Sequence, residues 1–252
     1  VLDSDNLQAE RHNYLGCIIS AKAKAADSGW AFVWADISTG QWTGTEFHRE
    51  EDLWQWVPKM GPRELLLEQS ITTPKLRFLE NVHLVRLPGL LSQDNASEIL
   101  CHAQHVHSLD ALGLKKKPSL SQACAQLLRY IEQMQKASID QLEAFVPLNL
   151  GRRMLIDDPC ERNLELFVTL AGSKGKGTLH HLLQATITPM GARKLEDMLH
   201  HPWREEEPIK AIQSAVRFIA EDDSLRSDLR HALQGVFDIE RLCQRICLNR
   251  SH

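Results

Sequence analysis

The sequence predicts an α/β unit followed by an all-helical unit. In the first part of the chain, short runs rich in β-branched and aromatic residues alternate with Gly, Ser and Asp turn signals. Further along, strand-like runs become scarce and apolar residues recur at helical spacing. A triple lysine and a proline, residues 115–118, break both periodicities between the two parts. We therefore predict a mixed-sheet domain over residues 1–117 and a helical domain over residues 118–252.

The first domain opens with three strand-like runs that turn signals separate, so we expect three sequential antiparallel strands. These runs lie at residues 13–20, 30–38 and 41–47. Helices and strands then alternate: a helix over 50–60, a strand over 63–68, a helical turn or two over 73–80 and a strand over 82–87. Strands first, followed by this alternation, indicate a mixed sheet. The strand order suggests an RNase H-like fold.

A further helix is predicted over residues 94–107, with Asp94 as its N-cap. Ile99, Ala103 and Val106 step along one face of it, so this helix can cover one side of the sheet.

The second domain is predicted to be a helical array. Its first helix, over residues 119–135, has Ser119 or Ser121 available as a cap. Another helix begins at Thr188 and Pro189, since a hydroxyl N-cap followed by proline suits a helix start, and Pro202 ends it. The remaining helices are marked by Pro159, by Thr178, by Ile209 to Ile219 after three acids, and by Ile239 to Ile246 after Asp238.

Composition excludes several classes of protein. The net charge of −4 gives no global basic field of the kind that wraps duplex DNA. No apolar run approaches the ~20 residues that span a bilayer, and the N-terminus lacks the pattern of a signal peptide, so we expect a cytoplasmic protein with no membrane partner. Six cysteines without a CxxC pair are expected to be small buried apolar residues. Because the chain opens on valine, we interpret it as a piece of a longer protein.

A metal-dependent nuclease is the enzymatic alternative. RNase H-like folds can host two-metal nucleases, which need clustered carboxylates, and Asp36, Glu68 and Asp94 are the available acids. The first strand, NYLGCIIS, has no carboxylate, although nucleases of this fold place their central aspartate there. Asp36, followed by Ser-Thr-Gly, is better explained as a turn residue at a strand end.

Three other patterns favour structural explanations. The loop AGSKGKGT, residues 171–178, lacks P-loop spacing, so we interpret it as a turn between helices with Thr178 as a cap. The pairs His180–His181 and His200–His201 lack metal-site partners and are expected on solvated helix faces. Cys243 and Cys247 are expected in core packing, and the lysines at 115–117 in a solvated linker rather than on a phosphate backbone.

Two long segments resemble the MutS family of DNA mismatch-repair proteins. One runs from MLIDDPCERNLEL through TLHHLLQATITPMGARKLEDMLHHPWRE, and the other is NYLGCIISAKAKAADSGWAFVWADISTGQW. In that family an RNLEL helix, a variable turn, "TLL…LD.T.TPMG.R.L" and "H.P" follow one another at this spacing. The residues that match are Arg162 to Leu166, Thr178 to Leu183 and Thr186 to Arg193. The later FDIERLCQRICL is similar to the family's "D.ERL..R" helix.

The resemblance implies that residues 1–117 form an RNase H-like connector domain without nuclease activity. Residues 118–252 would be the first part of the helical core, or lever, domain. Such a chain would transmit conformational change between the DNA-binding and ATPase parts of a mismatch-recognition ATPase. The mismatch-reading domain, the DNA clamp and the Walker-type ATPase have no counterpart in the sequence. We therefore expect no catalytic residue, metal or cofactor here, with ATP and Mg²⁺ bound in the ATPase domain.

The resemblance also implies partners. The family's connector docks the MutL protein, and the helix over 94–107 aligns with that surface, where Glu98, Ile99 and His102 are candidate contacts. Mismatched duplex DNA and homodimerisation would involve other parts of the family's chain. This sequence departs from the family at Cys160-Glu161-Arg162, where Thr-Arg-Arg is common. A thiol would thus replace a capping hydroxyl at Cys160, and an acidic side chain would replace a basic one at Glu161.

Overall fold

The computed structural model describes residues 10–20, 29–135 and 142–247. The chain folds into two compact units, built mainly from Asn13–Leu148 and Asn149–Leu242. Among the described residues, no helix is both long enough and apolar enough to cross a membrane.

A six-stranded mixed sheet forms the first unit. β1 pairs antiparallel with β2 and β2 antiparallel with β3, while β4 and β5 extend the other side of β1 in parallel and the short β6 runs parallel to β3. The order β5-β4-β1-β2-β3-β6 confirms the mixed sheet predicted from the sequence. The two-residue β6 leaves no periodicity to detect and was not predicted. The strands are β1 Tyr14–Ser20, β2 Trp30–Asp36, β3 Gln41–Phe47, β4 Glu64–Leu67, β5 His83–Arg86 and β6 Val146–Pro147.

Three α-helices cover this sheet. α1 (Glu50–Met60) packs on β2 and β3, and its Trp56 lies 6.3 Å from Phe47 between ring centroids. α2 (Gln93–Ala103) and α3 (Pro118–Gln135) pack together over the main apolar core. A 3₁₀ turn, Arg77–Asn81, precedes β5 where a helical turn was predicted.

The boundary predicted at residue 117 falls inside the first unit, because α3 packs on the sheet. Leu120, Cys124 and Leu127 of α3 are fully buried in the same core as β1 and β2. The Lys-Lys-Lys-Pro run therefore ends a loop between two helices of one unit. The first unit extends to Leu148 instead.

Two predicted helix caps are corrected. The Ser92 hydroxyl, rather than Asp94, caps α2 by accepting from Asn95 N at 3.2 Å. α2 ends at Ala103 instead of residue 107, and His105 beyond it has a φ of 51°. Ser119 and Ser121 lie inside α3, whose first turn is capped from the sheet: the Glu46 carboxylate accepts from Leu120 N at 3.3 Å.

Five helices and the first turn of a sixth form most of the described part of the second unit. The predicted cap of α6 is confirmed, since the Thr188 hydroxyl accepts from Gly191 N at 3.1 Å. α4 is capped by Asp157, which accepts from Cys160 N at 2.8 Å, so the thiol of Cys160 does not replace a capping group. The helix α8 was not predicted. The helices are α4 Asp158–Asn163, α5 Leu179–Leu183, α6 Pro189–His200, α7 Glu206–Ala220, α8 Asp223–Leu233 and α9 Ile239–Cys247.

Candidate functional site in the helical unit

A buried arginine joins α6 to the start of α9. The Arg193 side chain is 2% exposed, and its Nη1 and Nη2 donate to the two carboxylate oxygens of Asp238 at 2.7 and 2.9 Å. Nη2 also donates to Glu240 Oε2 at 2.6 Å. A guanidinium binds a carboxylate in this two-point geometry better than an ammonium does, so an arginine is specifically suited to the site.

The charges of this cluster stabilise one another. Burial alone would lower the pKa of Arg193, but its hydrogen bonds to Asp238 and Glu240 raise the pKa overall. Burial alone would raise the pKa of Asp238, but the hydrogen bond from Arg193 and the backbone N–H of Arg241 lower it. The shifts keep Arg193 and Asp238 ionised, so the buried cation has an opposite charge beside it.

An aromatic stack holds the other end of α6. The His200 ring stacks on Phe167, with centroids 3.9 Å apart and planes 15° apart. His200 Nδ1 lies 3.6 Å from Glu161 Oε2 of α4, and its side chain is 15% exposed. The stack joins α6 to the segment that follows α4.

The neighbouring His201 is buried and contacts Asp197. His201 Nδ1 lies 3.3 Å from Asp197 Oδ1. Burial would raise the pKa of Asp197, but His201, followed by Lys194, lowers it to about 2. The prediction that both His200 and His201 lie on a solvated face is therefore wrong, because the end of α6 packs against the preceding segments.

These contacts join the segments that carried the family resemblance: Arg193 lies in the TPMG.R.L segment, Asp238 in the D.ER segment, and Phe167 directly after the RNLEL segment. Two family models match the chain in succession, MutS domain II over residues 13–143 and MutS domain III over residues 161–252.

The chain belongs to the MutS family.

Curated relatives named DNA mismatch repair protein MutS are similar over nearly the whole chain. The Desulfovibrio desulfuricans protein is 49% identical over 251 residues, which are 99% of this chain and 27% of that protein. The Nitratidesulfovibrio vulgaris protein is 48% identical over 253 residues, 100% of this chain and 28% of that protein. The Trichormus variabilis protein is 29% identical over 259 residues, 97% of this chain and 30% of that protein. The chain thus spans less than a third of the length of these relatives, and it corresponds to the connector and core domains of MutS.

Glu161, where the sequence departs from the MutS pattern, contacts a residue of α6. Glu161 Oε2 lies 3.6 Å from His200 Nδ1. The helix forms as expected, and the substitution gives His200 an acidic neighbour on α4.

The glycine-rich loop is a tight turn stabilised by its own residues. Val168 and Lys174 form a β-bridge, and Gly175 and Gly177 have φ values of 93° and 101°, which favour glycine. The Thr178 hydroxyl donates to Gly175 O at 2.8 Å and accepts from His181 N at 3.2 Å. The prediction of Thr178 as a helix cap is confirmed.

The three acids of the nuclease alternative have separate structural roles. Asp36 is buried at the end of β2 and accepts from Asn13 N at 3.1 Å and Ser38 N at 3.0 Å. Glu68 accepts from Ser20 N at 2.9 Å, while Asp94 is exposed in the first turn of α2. Within residues 10–20, 29–135 and 142–247, no group of three or more His, Cys, Asp or Glu side chains could hold a metal ion. The nuclease alternative is not supported.

The three predicted docking residues do not share one surface. Glu98 and His102 are exposed and lie one turn apart on α2. Ile99 is half-buried and packs against the core. Glu98 and His102 therefore remain the candidate residues for contact with MutL.

The cysteines divide between the core and the surface. Cys17 and Cys124 are buried, and burial raises the pKa of both thiols. Cys101 is half-buried, and Cys160, Cys243 and Cys247 are exposed, so the prediction that the cysteines are buried is wrong for these last three. The helical spacing identified an apolar side of α9 but could not show what covers it.

Sequence reasoning did not identify the cluster around Arg193. The motif includes Arg193 without giving it a partner, and Asp238 is predicted only as the start of a helix. The available signal was a charged residue, Arg193, between the apolar Met190 and Leu195 of a predicted helix. A pattern of this kind indicates a buried ion pair, although it cannot identify the partner.

Proposed function

We propose that this chain is the connector and lever portion of a mismatch-recognition ATPase of the MutS family. It would transmit conformational change between the parts that bind DNA and the part that hydrolyses ATP. The observation that carries the proposal is the Arg193 cluster, which joins two family motifs into one packed unit.

Transmission requires helices that move together. Arg193 fixes α6 to the start of α9, and the Phe167–His200 stack fixes the end of α6 to the segment after α4. Buried hydrogen-bonded networks and stacked rings have a few discrete arrangements rather than many, so a displacement at one helix passes to the next. In this proposal the chain itself hydrolyses no ATP and needs no cofactor. ATP, Mg²⁺, contact with mismatched DNA and homodimerisation belong to other parts of the parent protein.

The test uses a full-length protein that contains this segment. Arg193→Ala should leave nucleotide-free binding to a G·T mismatch nearly unchanged and slow ATP-triggered release by about tenfold, a change of ~1.4 kcal/mol in the activation free energy of release. Lys194→Ala, on the exposed side of the same helix, is the matched control and should release normally. Normal ATP-triggered release in a folded Arg193→Ala protein would contradict the proposal.

We further propose that α2 docks the MutL protein through Glu98 and His102. Both side chains are exposed on one face of the helix, where a partner can reach them. Glu98→Lys should weaken MutL binding by about tenfold in a surface-immobilised binding assay, since a like-charge contact replaces an attractive one. Glu51→Lys on α1 is the control, because Glu51 is also exposed, lies on a different helix and pairs with the exposed Arg49 beside it. Equal binding of MutL by the two variants would show that Glu98 is not part of the MutL-binding surface.

A further inference from the structure

Two cysteines lie one turn apart near the end of α9. Cys243 and Cys247 both belong to this helix, both are exposed, and neither forms a disulfide. Residues four positions apart on a helix are neighbours on one side of it, so the two thiols share one side of α9. Their exposure removes the core packing that the sequence predicted for them, and the proposed function gives the pair no role.

The two thiols are too far apart to bond directly to each other. On a helix, Cβ atoms at this spacing lie about 5–6 Å apart. A disulfide requires a Cβ–Cβ distance of about 3.5–4.5 Å, so an S–S bond between these residues would distort α9. A single atom between the two sulfurs spans the wider gap without moving the helix. The spacing therefore favours a ligand that bridges both sulfurs.

The composition of the pair selects the kind of ligand. Thiolates are soft ligands and select soft metal ions. Zn²⁺ takes three or four protein ligands, but across the ranges that the structure describes no group of three or more His, Cys, Asp or Glu side chains could hold a metal. Cu(I) is a soft ion that two thiolates alone can hold. It therefore fits the pair better than Zn²⁺ does.

The other four cysteines offer no second site of this kind. Cys17 and Cys124 are buried, Cys101 is half-buried on α2, and Cys160 is exposed on α4. In the described part of the chain, α9 is the only helix or strand with two cysteines. Cys160 is thus a natural control, as an exposed thiol with no second cysteine on its helix.

We propose that Cys243 and Cys247 bind one Cu(I) ion as a bis-thiolate on the surface of α9. Each thiol loses its proton and each sulfur donates an electron pair to the ion. One Cu(I) ion and two thiols thus give a complex with one negative charge and release two protons, and no electron is transferred.

The helix supplies the affinity of this site. After the first thiolate binds, the second binds within the same molecule, which strengthens binding by about 10²- to 10⁴-fold over a single thiolate. The site is independent of the proposed lever function, since it uses no residue of the Arg193 cluster.

The test is an anaerobic titration of the 252-residue chain with Cu(I), in competition with the coloured Cu(I) chelator bathocuproine disulfonate. We expect the chain to withdraw one Cu(I) ion, and native mass spectrometry should show a single chain heavier by one copper minus two protons. Cys243→Ser and Cys247→Ser should each weaken binding by about 100-fold or more. Cys160→Ser is the matched control and should bind Cu(I) as the unmodified chain does.

A fourth variant separates the spacing of the thiols from their number. Arg245→Cys combined with Cys247→Ser keeps two thiols on α9 but places them two positions apart, where side chains do not face each other. This variant should bind Cu(I) as weakly as Cys247→Ser alone. If one serine variant fails to fold, the other and this double variant still decide.

Four results would overturn the proposal. The first is full Cu(I) affinity in a serine variant of Cys243 or Cys247, or in the double variant. The second is loss of affinity in Cys160→Ser. The third is a copper ion held between two chains in the mass spectrum. The fourth is displacement of Cu(I) by an equal concentration of Zn²⁺, which would reveal a larger ligand set.

Discussion

Arg193 and Asp238 lie 45 positions apart in the sequence and meet in a two-point hydrogen bond of 2.7 and 2.9 Å. The contact brings the TPMG.R.L and D.ER segments of the MutS pattern into one cluster. Both charged side chains are largely buried, so removal of either one leaves the other as a buried charge without its counterion.

Removal of the arginine should destabilise the helical unit. Arg193→Ala leaves Asp238 and Glu240 facing each other without their cation, and we expect a loss of about 3 kcal/mol in the free energy of unfolding. Arg193→Lys should recover less than half of the loss, because an ammonium cannot make the two-point contact. Urea unfolding followed by the indole N–H NMR signal of Trp203, the single tryptophan in residues 149–242, measures both variants.

The matched control is Lys194→Ala. Lys194 is exposed and pairs with Asp197 at 3.4 Å, a surface contact worth less than ~1 kcal/mol. A loss in Lys194→Ala equal to that in Arg193→Ala would show that the effect belongs to the helix and not to the buried pair.

The sequence predicted most elements because local rules decide them. Thr188 and Pro189 start α6 as expected, and the strand-like runs between turn signals placed β1 to β3 correctly. Sequence reasoning failed where distant segments decide the outcome. The cap of α3 comes from Glu46 on β3, the partner of His200 is Phe167, and Arg193 meets an acid of another helix. Local periodicity contains no information about such contacts, which is also why α3 was separated from the sheet on which it packs.

Acid should weaken the contact between Asp197 and His201. The pKa of Asp197 is about 2 in the folded chain, below its ordinary value of 3.8. A depressed carboxyl pKa stabilises the fold above the unfolded pKa, and this stabilisation is lost as the pH falls from about 4 to about 2. The free energy of unfolding of the unmodified chain should therefore fall over this range relative to that of Asp197→Asn. The indole N–H NMR signal of Trp203 follows urea unfolding of the helical unit at each pH, and an equal decline in the stability of both proteins would contradict the assignment.

Gly44 should not tolerate a side chain. A Cβ at Gly44 would lie 2.7 Å from Val33 Cγ2, 2.8 Å from Phe32 O and 3.0 Å from Leu120 Cδ1. Because one of these atoms belongs to the backbone, β2 or α3 would have to move, and Gly44→Ala should cost about 2 kcal/mol of unfolding free energy. Gly89→Ala is the control, since nothing lies within 4 Å of its added Cβ. Thermal melting of the two variants gives the comparison, and equal melting temperatures would show that α3 does not press on the sheet at this position.

The last prediction concerns where the first unit ends. A chain of residues 1–148 should fold alone, whereas a chain of residues 1–117 should not. The shorter chain lacks α3, whose Leu120, Cys124, Leu127 and Leu128 are fully buried, and it lacks β6 on β3. Deletion of several fully buried apolar side chains costs ~2 kcal/mol or more for each, which together approaches the whole stability of a small domain. Amide NMR spectra distinguish folded from unfolded chains. We expect dispersed signals from residues 1–148 and signals within a narrow chemical-shift range from residues 1–117. Dispersed signals from both chains would show that the first unit folds without residues 118–148, as the boundary at residue 117 requires.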